Sequence, residues 1–236
     1  MVRTLAVLSV VALSVSSARA ACPVPDGADP ALAQQSDEVR QAKVEQALAA
    51  AGRDTTTWAW AWRASFLFTG TVQAGLLPGA RSEADRIDLQ LGMGKSVVAF
   101  GFALVTRLPA EKHHDTFTPA GPEPRSCAKL AELELRLRDD AIGERKGRHW
   151  FMHALSIAFN VGVGAVAWKL HGRLGSALFG VISGSAVGEL RLFTQPLTAN
   201  RAWDAYLRGD SVTARRVTPW ITVVPSGAMV GADLQL

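Results

Sequence analysis

"GRHWFMHALSIAFNVGVG", residues 147–164, passes from a charged stretch into an apolar one spaced by glycines. His149 and His153 stand four apart with Trp150 between them, which puts both imidazoles on one face of a helix. Two chemistries fit that arrangement: a pair of metal ligands, or the rim of a helix entering a membrane. The apolar run continues to Leu170. About 20 residues at 1.5 Å each match a hydrocarbon layer about 30 Å thick.

Three other segments share this character. "WAWAWRASFLFTGTVQAGLL" (58–77) is stopped by Pro78-Gly79, and "IDLQLGMGKSVVAFGFALVTRL" (87–108) by Pro109. "LGSALFGVISGSAVGELRLF" (174–193) ends near Pro196. Tryptophans open two of the four: Trp58, Trp60 and Trp62 in one, Trp150 in another. Amphipathic rings prefer the level where lipid meets water. Gly180, Gly184 and Gly188 form two overlapping GxxxG steps, which let helix backbones approach closely in lipid. A soluble helix seldom keeps such a row, because each glycine costs about 1 kcal/mol relative to alanine.

Between these segments lie polar ones. Residues 30–51 form a helix rich in Ala, Gln and Glu, closed by Gly52 and "RDTTT". Residues 109–126 hold four prolines and are expected to be loop. Residues 127–148 form a charged helix with Leu130, Leu133 and Leu137 along one side. The tail, with "PWITVV", "PSG" and "AMVGADLQL", predicts a β-hairpin.

The fold class that follows is all-α. Four apolar transmembrane helices form two helical hairpins, accompanied by two charged extramembrane helices and a short C-terminal β-hairpin. Its segments are 1–20, an export signal; 21–57, exported loop and charged helix; 58–109, the first hairpin; 110–148, exported loop and charged helix; 149–196, the second hairpin; and 197–236, the tail. The two hairpins occupy nearly equal lengths, Trp62–Pro109 and Trp150–Pro196. Internal duplication and two similar unrelated hairpins both produce that spacing.

The export signal rests on Arg3, the apolar core "LAVLSVVALSVSSA" and the small-x-small site Ala18-Arg19-Ala20. Cys22 follows at once, but Arg19 stands where a lipoprotein site prefers an aliphatic residue, so simple cleavage is expected. A mature chain in an oxidising compartment permits a Cys22–Cys127 disulfide, and two separate thiols are the alternative. The location implied is a bacterial cell envelope, integral to the inner membrane with charged segments periplasmic. The exported segments carry most of the arginines, against the positive-inside preference. A competing fold is an exported soluble bundle burying the same segments.

Candidate chemistry is sparse. His113, His114, His149 and His153 would gather at the outer membrane surface and could hold a divalent metal, the one cofactor to consider. Histidines at this spacing also serve as caps and bundle hydrogen-bonders. Lys95, Glu189 and Asn160 lie inside apolar helices, with Gln73 as a further hydrogen-bonding side chain. Ionisable groups in a membrane pair with one another, meet water or mark a pathway. Lys95 and Glu189 each sit on the second helix of a hairpin, where they could face one another as an ion pair or a proton route.

No GxSxG, Walker-type loop, HExxH, CxxC pair or dinucleotide fingerprint occurs. With a formal charge of +4 and no basic stripe, nucleic-acid binding is excluded. The partners expected are membrane lipid, and a second copy or another membrane protein along the glycine-rich helices. Three functions remain. The first is a non-catalytic structural or assembly role, the second a transporter-like or proton-linked subunit using Lys95 and Glu189, and the third a membrane metalloenzyme using the histidines.

Overall fold

A computed structural model describes residues 21–116 and 126–210, together with the backbone of 216–224 and 227–235. The expected signal peptide, 1–20, lies outside the described residues. The chain is built from helices, three of which are long and apolar enough to cross a membrane.

After the short α1 (Pro30–Ala33), α2 runs unbroken from Asp37 to Leu76. Its 40 residues span about 60 Å at 1.5 Å per residue. Ser36 caps it, accepting from the Val39 N–H. The expected stop at Gly52 does not occur. Gly52 is a packing position, since a β-carbon there would stand 2.8 Å from the His114 Cβ. Thr55 is buried, and Asp54 accepts from the Thr198 hydroxyl at 2.7 Å. Tertiary contacts thus carry the helix through residues whose local preference is to end it.

Two apolar hairpins follow. The second half of α2 packs on α3 (Glu83–Val105), and α6 (Trp150–His171) packs on α7 (Leu174–Phe193). The first of the four expected spans is the exception to membrane-crossing character: Trp58, Trp60, Trp62, Arg63 and Gln73 lower the apolarity of α2. Gly172, in the left-handed conformation at φ 65°, closes α6 and turns the chain into α7.

The α6–α7 contact is set by small residues in register. Ser156, Asn160 and Gly164 on α6 meet Gly188, Gly184 and the Ala177–Val181 turn on the antiparallel α7. A β-carbon at Gly184 would overlap Asn160 Oδ1, and one at Gly188 would overlap the Ser156 hydroxyl. One at Gly180 would meet only Lys95 Nζ, at 3.9 Å.

The remaining helices form a second body at the open ends of the hairpins: α1, the first half of α2, α4 (Pro109–Thr116), α5 (Cys127–Gly147) and α8 (Thr198–Leu207). Neither α4 nor α8 follows from the expected loop and tail. Proline is tolerated in the first turn of α4, where its missing N–H has no helical partner to lose. In α8 the buried face is Ala199, Ala202, Trp203 and Tyr206, too short a stretch to declare itself without the partner surface. These pack on Leu32, Val44, Leu48, Leu133 and Leu137 as one apolar core. Cys22 and Cys127 meet at disulfide distance, Cα–Cα 5.2 Å, fastening the N-terminal strand of chain to the start of α5.

Beyond α8 the backbones of β1 (Arg216–Val224) and β2 (Gly227–Gln235) pair antiparallel, Arg216 opposite Gln235 and Val224 opposite Gly227. The link between them, 225–226, lies outside the described residues.

Two buried arginines organise the structure, Arg40 within the charged body and Arg63 at its junction with the apolar hairpins. Arg40 donates to Glu134 at 2.6 Å, to the carbonyls of Cys22 and Pro23 at 2.9 and 2.8 Å, and to the Tyr206 hydroxyl, which in turn donates to Glu134. Arg63 sits where the apolar hairpin meets the charged body. It donates to Glu111 of α4 at 2.7 and 3.2 Å, and to the Ala103 carbonyl near the end of α3 at 3.0 and 3.1 Å.

Arg63→Met should destabilise the full chain in detergent by roughly 3–5 kcal/mol, the cost typical of a broken buried pair. Arg63→Lys should recover little of this, because a point charge cannot serve a carbonyl and both carboxylate oxygens at once. Thermal unfolding of the variants measures it. In the same assay Gly184→Ala should lower the midpoint while Gly180→Ala leaves it unchanged or raises it slightly, although both residues belong to one GxxxG series.

Candidate functional site

Between the two apolar hairpins lies a half-open cleft of about 840 Å³. Phe66 of α2, Leu91, Val98 and Phe102 of α3, Leu155 and Phe159 of α6 and Phe179 of α7 supply apolar wall. Its polar lining includes Gln73, Lys95, Ser96, Ser156, Asn160, Ser183 and Arg191 midway and toward the charged body, and Asp88, His171, Arg173 and Ser176 toward the closed ends.

Side chains bridge the hairpins across this cleft. At the closed ends Arg173 pairs with Asp88 at 2.9 Å and donates to the Ala84 carbonyl, while the Ser176 hydroxyl donates to Asp88 at 3.1 Å. Halfway along, Lys95 Nζ donates to the Gly180 carbonyl at 2.8 Å. Arg191 lies over the Trp58 ring, 5.2 Å from its centroid, and its buried Nε has no partner among the described residues. Trp58 and Trp62 both donate to the Thr194 hydroxyl, at 3.3 and 3.1 Å. Arg148 closes the end of α7 by donating to the Phe193 and Gln195 carbonyls, a cation at the negative end of a helix.

The polar residues of the apolar helices are therefore separated in role. Lys95 and Asn160 line the cleft, Lys95 Nζ and Asn160 Oδ1 both standing against Gly184. Asn160 is buried and donates to the Ser156 carbonyl at 3.0 Å. Glu189 faces His153 of α6 instead of Lys95, so the expected Lys95–Glu189 pair does not form. The reason is helical geometry: Glu189 lies one residue beyond the row Gly180–Gly184–Gly188, on the side that meets α6. Arg191 belongs to the cleft and is absent from the sequence-derived candidates. Its spacing of seven from Gly184 places it on the same face as that row and carries the signal.

The histidines take separate partners. His149 caps α6, its Nδ1 accepting from the Phe151 N–H at 3.4 Å. His153 pairs with Glu189, His113 with Asp140 at 2.7 Å, and His114 packs over Gly52. Among the described residues, the group of three ligand-bearing side chains within 4.8 Å is Cys22, Asp37 and Cys127; no histidine belongs to it.

His113 leads to a second cluster of titratable groups, in the charged body. Burial pushes the Asp140 carboxyl up to about 6, with the charge of His113 and its hydrogen bond pulling the other way. Burial also pushes Glu144 up to about 7, against hydrogen bonds from the Asn200 and Ala199 N–H groups at 2.8 and 3.1 Å. Nearby Asp140 and Asp54 add to that rise. Glu144 thereby caps the start of α8 across the body, while Gln195 donates to the Glu144 carbonyl at 2.9 Å. Tyr206 is raised by burial and by its hydrogen bond to Glu134.

No protein family, no curated protein and no solved structure matches this chain.

Glu144 and Asp140 hold protons more tightly folded than unfolded. Their stabilisation is full below the ordinary carboxylate range and is lost as pH rises through about 6 to 7. The thermal midpoint of the full chain should therefore fall between about pH 5 and about pH 8. Glu144→Gln should flatten that profile. A steady or rising midpoint for the parent chain over this range would contradict it.

Proposed function

We propose that this chain is an integral protein of a bacterial inner membrane with a binding or assembly role. Its hairpins cross the bilayer, and the body built on α5, together with the C-terminal hairpin, stands in the periplasm. The observation that carries this reading is the uncovered apolar surface of the hairpins. Only 11% to 17% of the residues in the most apolar windows of the three candidate spans are buried in protein. Phe68, Val105, Leu170 and Phe179 are each at least 70% exposed. A soluble bundle would turn such side chains inward. Polar and charged groups concentrate instead at the ends of these helices, with Trp60 and Trp150 exposed at the level of Arg148 and His149.

Three observations support the orientation. The signal-like N-terminus sends the body outward, and the Cys22–Cys127 pair suits an oxidising compartment. The closed ends of the hairpins, which would remain inside, carry Arg81, Arg86, Lys169 and Arg173. The positive-inside preference is counted over short loops, whereas folded domains translocate largely regardless of charge. The arginines of the exported body therefore weigh little against it.

A second reading, passage of a solute past Lys95, draws on the length of the cleft, which reaches from Arg191 to Arg173. It involves Lys95 and not Glu189.

Alkaline extraction of membranes combined with labelling of introduced cysteines tests the first reading. The chain should stay with the membrane pellet. A membrane-impermeant maleimide should label Glu132→Cys in intact spheroplasts and Ser82→Cys only after permeabilisation. Release into the alkaline supernatant would overturn the membrane assignment, and the reverse labelling pattern would overturn the orientation.

A further inference from the structure

The cleft between the hairpins has apolar walls and a cationic floor. Lys95 is the thirteenth residue of the 23 in α3, close to the middle of the span. A charged side chain at that depth is costly in lipid and ordinarily pairs with an opposite charge. Its hydrogen-bond partner here is a backbone carbonyl, Gly180. Among the described residues no carboxylate lies within ion-pair distance of Lys95 or of Arg191, while Asp88, the acidic residue of the lining, is engaged by Arg173. Gly180 leaves space beside the ammonium, a β-carbon there meeting only Lys95 Nζ at 3.9 Å, whereas the room at Gly184 is taken by Asn160 Oδ1 and Lys95 Nζ.

We propose that this cleft binds an anionic amphiphile: a carboxylate or phosphate group carried on an acyl chain. The anionic group is held by Lys95, with Arg191 as the second cation toward the charged body. Asn160, which also lines the cleft, has a second amide N–H beyond the one donated to the Ser156 carbonyl and offers it as a further hydrogen bond. The acyl chain lies along the apolar wall formed by Phe102, Leu155 and Phe159. Charge complementarity selects the headgroup, since two cations without counter-charges face the same space. The apolar wall selects against a small hydrophilic anion. A volume of about 840 Å³ is within the range of sites for drug-sized ligands. The half-open side admits a chain from the surrounding bilayer.

This inference rests on the membrane reading for the source of its ligand. Its test does not, because binding is measured on the full chain in a neutral detergent. Failure here leaves the extraction and labelling result untouched, and failure there leaves this measurement standing.

Native mass spectrometry and fluorescence competition compare phosphatidylglycerol, phosphatidylcholine of the same acyl chains, oleate and inorganic phosphate. Phosphatidylglycerol or oleate should bind at least about tenfold more weakly to Lys95→Met than to the parent, a margin of about 1.4 kcal/mol in binding free energy. Lys95→Arg should retain binding within about threefold, and Lys169→Met, outside the cleft, should match the parent. Whichever of the two anionic ligands binds tighter identifies the source as membrane phospholipid or free fatty acid. Should Lys95→Met fail to fold, the parent chain supplies the answer. Labelling of Lys95 by an apolar amine-reactive ester should then be blocked by phosphatidylglycerol or oleate and not by phosphatidylcholine. Equal protection by phosphatidylcholine, tight binding of inorganic phosphate, or undiminished binding by a folded Lys95→Met would each overturn the proposal.

Discussion

The Arg63 guanidinium is the constraint on which the architecture turns. It is buried where α2, α3 and α4 converge, and it meets two needs at once. One is the carbonyl left open near the end of α3, the other is the charge of Glu111. Planar, forked donors suit that double duty. Because α2 passes through this point without a break, the apolar hairpin and the charged body share one rigid rod. The orientation of the cleft relative to the body is thereby fixed by a helix and an ion pair rather than by a linker.

Within the hairpins, the same physical economy produces both adhesion and space. Glycines on α7 bring its backbone close to α6, where Ser156 and Asn160 take the room that β-carbons would need. The same row, seen from α3, leaves a hollow in front of Lys95. Helix–helix attraction in lipid comes from close packing and interhelical hydrogen bonds, and here the small residues that permit it also form one side of a polar-lined cleft. Gly180 and Gly184 therefore differ in role despite their common motif: one helps keep the cleft open, the other seats Asn160.

The charged body is held differently. Its core is modest and its interior carries several ionised or hydrogen-bonded groups: Arg40 with Glu134 and Tyr206, Asp140 with His113, and Glu144 with the start of α8. Buried polar groups of this kind add directional specificity but tie stability to protonation state. The Cys22–Cys127 pair lies beside the Arg40 network, whose guanidinium grips the Cys22 and Pro23 carbonyls. The N-terminal chain is thus held covalently and by hydrogen bonds in the same place.

Much of this was legible in residue order. The apolar character of α3, α6 and α7, the limits of α5 and α7, and the leucine stripe Leu130–Leu133–Leu137 follow from composition, caps and periodicity, which are local properties. Local rules failed where burial supplied what they lack. Gly52 and the threonines after it remain helical because His114, Asp54 and Thr198 complete their surroundings, and α4 and α8 exist because α2 and α5 offer them a surface. The sequence by itself determined that apolar helices alternate with charged ones and that Lys95 stands in the middle of an apolar segment. Only the tertiary structure decided that Glu189 turns to His153, that the histidines part company, and that Lys95 and Arg191 look into one cleft. Partner choice depends on helix rotation and depth, and those are set by contacts between segments distant in the chain.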